Sequence, residues 1–144
     1  MVLFGTTAEL IFDINFILQI VLIVLLLIGY LQKRNWKYHG IIMGVGTLSM
    51  LVTVLLIMGP SLIANWPALV LFPTSPGSLV TISHVVFGSI ALAIALFFTL
   101  RFLYFSLGKK PLRCGTRIQM RIQLTIWFLA FLFGLVFYIY YYVM

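Results

Sequence analysis

The sequence has very little charge. Charged residues make up 8% of its 144 residues and hydrophobic residues 64%, whereas a soluble domain carries about 25% charged residues. A fold of this length leaves many of its side chains at the surface. The composition therefore excludes an ordinary soluble domain and predicts that lipid surrounds most of the chain.

Acids, cysteine and histidine are also scarce. The acids are Glu9 and Asp13, the histidines are His39 and His84, and Cys114 is the single cysteine, which cannot form an internal disulfide. The sequence has no nucleophile, histidine and acid at one membrane depth, no glycine-rich phosphate loop after a strand and no cysteine pair. We therefore predict no enzymatic activity.

Long apolar runs dominate what remains. A helix that crosses a membrane needs ~20 mostly apolar residues, and the sequence has four such runs with short connections. They predict an all-α fold, a four-helix transmembrane bundle in a single domain over residues 1–144. The expected helices cover about 7–31, 39–58, 79–105 and 117–142. Gly59 and Pro60 are expected to end the second helix.

The basic residues predict the orientation of the bundle. All nine lie at two junctions between apolar runs, and the net charge is +7. This placement favours lipid head groups and the positive-inside rule over nucleic acid. Both junctions are then cytoplasmic, and both termini lie on the outer side of a multi-pass protein of the cell membrane. The residues assigned to this role are Lys33, Arg34, Lys37, Lys109, Lys110, Arg113 and Arg117.

The segment from residue 60 to residue 78 has no charge and is too apolar for a free aqueous loop. One interpretation is a segment that lies flat in the membrane interface. The other is a docking surface for a partner subunit, because exposed apolar patches often mark interfaces. The residues assigned to that surface are Trp66, Leu69 and Phe72.

The two histidines are the first candidates for haem ligation. His39 is expected to open the second helix at the inner face, and His84 to lie about a turn and a half into the third helix from the outer face. At 1.5 Å of rise per residue, they are roughly 20 Å apart in depth. Within one copy of the chain they cannot ligate one iron. The alternative for His39 is hydrogen bonding in the inner head-group region beside Arg34 and Lys37.

Glu9, Asp13 and His84 are all expected near the outer boundary. Carboxylates and imidazole are ordinary ligands for divalent ions, so one interpretation is a small metal or proton site. In the other, the acids cap the first helix at its positive end, and His84 forms a hydrogen bond with a neighbouring backbone group or hydroxyl. No cofactor is predicted outright, with haem or copper as the possibilities.

Two helix faces are expected to point into the bundle. Asn15 and Gln19 lie one turn apart on the first helix. On the third helix, spacings of four, three and four residues align His84 with three small residues, Gly88, Ala91 and Ala95. Small and polar side chains favour close helix packing in lipid.

Three short motifs resemble a known family. They are Lys37-Tyr-His39 with Met43 at the start of the second helix, Ser83-His84 with Gly88 in the third, and Trp127, Gly134, Tyr138 and Tyr141 in the fourth. Over roughly residues 14–142 the chain resembles the small four-helix membrane family of unknown function that includes the haem–copper oxidase assembly factor CtaM. The resemblance makes His39 and His84 the family positions. The family usually has a histidine before its last helix, but residues 109–117 contain none.

The resemblance implies a role in the maturation or assembly of terminal oxidases. Together with the apolar 60–78 segment, it leads to a first hypothesis. The chain is a non-catalytic accessory subunit or assembly factor of a larger membrane redox complex, either a terminal oxidase or a copper membrane monooxygenase. The alternatives are a haem- or metal-handling protein that uses His84 or His39, and a small oligomeric transporter with a shared polar path.

Overall fold

The computed structural model describes residues 9–32, 34–108 and 117–143. Five α-helices follow one another: α1 (Leu10–Leu31), α2 (Trp36–Thr53), α3 (Gly59–Leu71), α4 (Pro76–Leu107) and α5 (Arg117–Tyr138). Two π-helical segments, Val54–Met58 and Ile139–Val143, extend α2 and α5. No strand occurs in these ranges, and four helical spans are long and apolar enough to cross a membrane. The predicted all-α four-helix transmembrane fold is confirmed.

Several expected boundaries shift by a few residues. α1 begins at Leu10 rather than near residue 7. α2 begins at Trp36 rather than at His39, because the side chain of Asn35 accepts a hydrogen bond from the backbone N–H of Tyr38 and caps the helix. Arg34 and Lys37 are exposed at this end of α2. Lys33, Lys109, Lys110 and Arg113 lie outside the described residues, as does the side chain of Arg117.

The prediction that Gly59 and Pro60 end the second helix is wrong. The helix continues from Trp36 to Leu71, a span of 36 residues. A proline ring in a regular α-helix clashes with the carbonyl four residues earlier. Here the preceding turn widens into a π-helix, in which the N–H of Gly59 bonds to the carbonyl of Val54. A Cβ atom on Gly59 would lie 2.9 Å from that oxygen, so glycine suits this wide turn.

The 60–78 segment is therefore mostly helical. α3 covers its first part, although Pro67 lies inside the helix. The chain turns at residues 72–75, and α4 begins at Pro76, three residues before its expected start. The hydroxyl of Ser75 accepts a hydrogen bond from the backbone N–H of Ser78 at 3.2 Å and caps α4.

The hydrophobic core lies where α1, α2, α4 and α5 meet. Its buried members are Leu22, Leu26, Met50, Ala91, Ala95 and Trp127. Ala91 and Ala95 belong to the predicted stripe of α4, whose inward orientation is confirmed. The same face continues to Thr99 and Phe102, which are also buried.

Glycine permits the closest helix contacts. Gly40 on α2 faces the ring of Phe102 on α4 so closely that a Cβ atom would overlap ring carbons. On another face of α2, a Cβ atom on Gly46 would lie 3.3 Å from Leu26 of α1. The small residues of α2 thus allow it to pack between α1 and α4.

Candidate functional site

A large cavity lies beside the core. Its volume is about 600 Å³. The wall is formed by α1, the π-helical segment Val54–Met58, α3, α4 and α5. Among the described residues, the main backbone neighbour of α3 is the π-helical segment Val54–Met58, which directly precedes it, and its close backbone contacts with the other helices are few. This arrangement leaves open space between α3 and the rest of the bundle. The wall is mainly aliphatic and aromatic, with polar groups from Asn15, Gln19, Asn65, Ser78, Thr81 and His84. Its size is typical of small-molecule sites.

His84 is held in a fixed orientation at the wall of this cavity. Its Nδ1 lies 2.8 Å from the backbone carbonyl oxygen of Ala130 on α5. A carbonyl only accepts, so Nδ1 carries the proton, and the other nitrogen of the neutral ring, Nε2, is a potential acceptor. The ring lies directly over Gly134, where a Cβ atom would be 2.8 Å from Cε1. The absence of a side chain at Gly134 thus makes room for His84.

Trp127 and Gln123 lie one turn apart on α5, and each has an unused polar atom. Their side chains are 6% and 4% exposed. The Nε2 of Gln123 donates to the carbonyl of Ala91 at 2.7 Å. The Oε1 of Gln123 and the Nε1 of Trp127 have no hydrogen-bond partner among the described residues. Trp127 lines the large cavity, whereas Gln123 lines a smaller one of about 60 Å³.

Asp13 is fully buried and is bonded to the opposite end of the chain. The hydroxyl of Tyr138 on α5 donates to its Oδ1 at 2.5 Å, and the ring of Tyr138 stacks on Phe16 with 4.2 Å between ring centroids. Glu9 is exposed immediately before α1 and makes no side-chain capping bond. The two acids thus have different environments, although they lie only one turn apart in sequence.

The structure does not assemble the predicted Glu9, Asp13 and His84 metal site. In the described ranges, no three His, Cys, Asp or Glu side chains lie close enough to hold one ion. Asp13 contacts α5 at Tyr138, whereas His84 contacts it at Ala130, two turns earlier. The bond from His84 to the carbonyl of Ala130 agrees with the alternative interpretation, in which it forms a hydrogen bond with a neighbouring backbone group or hydroxyl.

His39 is buried, not exposed to the head groups beside Arg34 and Lys37. Its Nδ1 lies 2.6 Å from the backbone carbonyl oxygen of Gly29 on α1. The ring lines the smaller cavity together with Phe102. The backbone of Gly29 is accessible because glycine brings α1 close to α2, where a Cβ atom would be 3.0 Å from Met43.

The two histidines lie at opposite ends of the bundle. His39 shares a cavity with Phe102, which lies 18 positions after His84 on α4. At 1.5 Å per residue this separation is about 27 Å along the helix. One iron cannot bind both histidines of a single chain, as the sequence also indicated.

Asn15 and Gln19 face the interior, as predicted. The Nε2 of Gln19 donates to Asn15 at 3.4 Å and to the hydroxyl of Thr53 on α2, also at 3.4 Å. The Thr53 hydroxyl in turn donates to the backbone carbonyl of Met50 at 2.9 Å. These polar groups link α1 to the last turn of α2 before the π-helical segment.

The three residues assigned to a docking surface do not share one environment. Trp66 and Phe72 are 57% and 66% exposed, but Leu69 is only 7% exposed and lines the large cavity. Leu69 is thus a buried wall residue and Trp66 lies on the outer surface of α3, whereas Phe72, in the following turn, is exposed but also lines the cavity.

Sequence reasoning did not identify Trp127 or Tyr138 as members of a site. Trp127 and Tyr138 entered the sequence analysis only as parts of a motif that resembles a known family. A signal was present in the four-residue spacing of Ala130, Gly134 and Tyr138, which places two small residues and one tyrosine on one face of α5. Comparisons with protein-family models, curated proteins and solved structures give no match for this chain.

Proposed function

We propose that this chain is a non-catalytic accessory protein of a larger redox complex in the cell membrane, either a subunit or an assembly factor. A terminal oxidase is the first candidate for that complex, and a copper membrane monooxygenase is the second. The support comes from α3, whose apolar surface extends farther than a bilayer requires.

The length of the second span carries the argument. About 20 residues cross the ~30 Å hydrocarbon core, whereas this span has 36. If the basic residues near Trp36 mark one boundary of the hydrocarbon core, the helix reaches the other boundary near the π-helical segment Val54–Met58. α3 then lies at or beyond the far boundary, where its exposed residues would meet polar surroundings. These residues are large and apolar: Ile63, Trp66, Val70, Leu71 and Phe72.

Apolar surface outside the hydrocarbon core favours a protein partner. Tryptophan and phenylalanine are also enriched at the centres of interfaces. Trp66 and Phe72 are therefore the residues that would contact an integral membrane subunit. The remaining exposed apolar side chains, such as Val21 on α1, would contact lipid.

The test is quantitative purification from native membranes in mild detergent. A tagged chain should recover the subunits of one redox complex, and a photo-cross-linking amino acid at position 66 or 72 should attach to one of them. The same amino acid at Val21 provides the matched control and should attach to lipid. Stoichiometric recovery would identify a permanent subunit, and recovery only with immature complex would identify an assembly factor. A monomer that recovers no partner at either stage would refute the proposal.

A haem- or metal-handling role at His84 is the second candidate. Its support is the bond to Ala130, because histidine ligands of metals commonly donate their other ring N–H to a carbonyl or carboxylate. A protein-only site of three ligands is absent from the described ranges, so a bound metal or haem would need further ligands from elsewhere. The absorption spectrum and metal content of the purified chain, compared with His84→Ala and His39→Ala, test this role. A colourless, metal-free protein would refute it.

A further inference from the structure

We propose that the 600 Å³ cavity binds an uncharged lipophilic molecule with a hydroxyl group on a ring, the chemistry of a quinol or another phenolic lipid. The volume accommodates a ring with part of an apolar tail. This inference concerns the isolated chain, so it stands or falls separately from the partner complex proposed above.

The wall of the cavity selects against charge. No Lys, Arg, Asp or Glu of the described residues lines it, and an unpaired charge in such surroundings is costly. A haem would bring two carboxylates with no cation to meet them. The aromatic rings of Phe16, Phe131 and Phe137 lie along the wall, and their faces favour stacking with a planar ring. An uncharged ring is therefore the expected ligand.

Trp127 forms a buried part of the cavity wall. Its indole N–H is unpartnered within the described chain, but neighbouring atoms close it off from the cavity. A bound molecule therefore meets the ring of Trp127 and not its N–H group. The contact makes the fluorescence of Trp127 a reporter of the ligand.

His84 supplies an acceptor at a similar level. The bond to Ala130 fixes its tautomer and leaves Nε2 as the acceptor of the neutral ring. Ala130 follows Trp127 by three positions, about 4.5 Å along α5. A ring hydroxyl can donate a hydrogen bond to this nitrogen of the imidazole. A carbonyl or an ether has no hydrogen to donate to it.

Gly88 provides a way to fill the cavity without disturbing the bundle. It lines the cavity, and a Cβ atom there would have no neighbour within 4 Å. Leucine at this position would therefore occupy ligand space. It also favours a helix more than glycine does, so Gly88→Leu should fold at least as well as the parent protein.

The experiment is a fluorescence titration of the purified full chain in detergent. Trp36→Phe and Trp66→Phe leave Trp127 as the only indole of the original three. The probe is decyl-ubiquinol, and the same compound with both hydroxyls methylated is the ligand control. We expect saturable quenching by the quinol, weakened at least tenfold by Gly88→Leu or His84→Phe and unchanged by Val45→Leu on the exposed surface. The methylated compound should bind at least tenfold more weakly than the quinol and be insensitive to His84→Phe.

Two results would overturn the proposal. Linear quenching of equal slope in all variants would mean that the probe only partitions into detergent. Equal affinity for the quinol and its methylated form would show that the cavity does not recognise a hydroxyl. If Gly88→Leu does not fold, the His84→Phe variant and the pair of ligands still decide between these results.

Discussion

The hydroxyl of Tyr138 donates a hydrogen bond to Asp13, and this contact joins residues 125 positions apart. It ties the beginning of α1 to the end of α5. A buried acid in a membrane protein is costly and usually paired, and this bond gives Asp13 a partner on another helix. The contact also lies at the edge of the cavity, since Tyr138 contributes to the cavity wall.

Removing this hydroxyl should destabilise the fold. Tyr138→Phe keeps the ring that stacks on Phe16 but deprives the buried carboxyl group of a donor. We expect the free energy of unfolding in detergent to fall by about 1–3 kcal/mol. Tyr38→Phe is the control, because the Tyr38 side chain is exposed. Equal stability of the two variants would show that the contact with Asp13 contributes little.

The fit of His84 over Gly134 gives a second prediction. In Gly134→Ala the new methyl group would lie 2.8 Å from the imidazole, so the ring must move and its bond to Ala130 must weaken. We expect a loss of about 1–3 kcal/mol in unfolding free energy, the usual cost of overpacking. Gly88→Ala is the matched control on α4 and should stabilise the helix by up to about 1 kcal/mol. An unchanged free energy of unfolding in Gly134→Ala would show that His84 can shift without loss of stability.

A third prediction concerns the contact between Gly40 and Phe102. Gly40→Ala should lower the free energy of unfolding by about 1–3 kcal/mol or more, because its Cβ atom would overlap the aromatic ring. The double variant with Phe102→Leu should recover part of that loss, whereas independent sites would give additive losses. Gly44→Ala is the control, since its Cβ atom would lie 3.6 Å from Thr99, an ordinary contact. Thermal unfolding measures the parent protein, Gly40→Ala, Phe102→Leu, the double variant and Gly44→Ala.

The sequence predicted the fold well because lipid imposes strong constraints. Within a membrane every backbone polar group must be satisfied internally, so long apolar runs can only be helices here. The inward face of Ala91 and Ala95 followed from helical spacing alone. The continuation of the second helix past Pro60 was missed because the sequence rule assumes a regular α-helix. A π-helical turn relieves the proline clash, and the sequence gives no direct sign of it.

The candidate site was harder to predict. His84 was identified by its chemistry, but its bond to Ala130 depends on the register between α4 and α5. Asp13 was assigned to a helix end near Glu9, whereas tertiary packing brings it to Tyr138 instead. The cavity itself results from the course of α3, which the sequence left as either a flat interfacial segment or a docking surface. Long-range pairings and empty space between helices are set by packing, so local patterns do not reveal them.

The last prediction tests why the cavity exists. Pro60 follows closely after the wide turn at Val54–Met58, and π-helical turns are a common cause of a change in helix direction. Pro60→Ala restores an N–H group and removes the ring, so a regular α-helix becomes possible through this turn. We expect α3 to shift relative to α4 and the cavity to change in volume.

Spin labels measure this shift directly. With Cys114 replaced by serine, labels at the exposed positions Ile63 on α3 and Ile90 on α4 report the distance between the two helices. Pro60→Ala should change that distance, whereas Pro67→Ala, which lies beyond the first label and outside the π-helical turn, should not. Loss of decyl-ubiquinol binding in Pro60→Ala alone would connect the turn to the ligand site. An unchanged distance in Pro60→Ala would show that packing of Leu69 against the cavity wall, and not the proline, sets the course of α3.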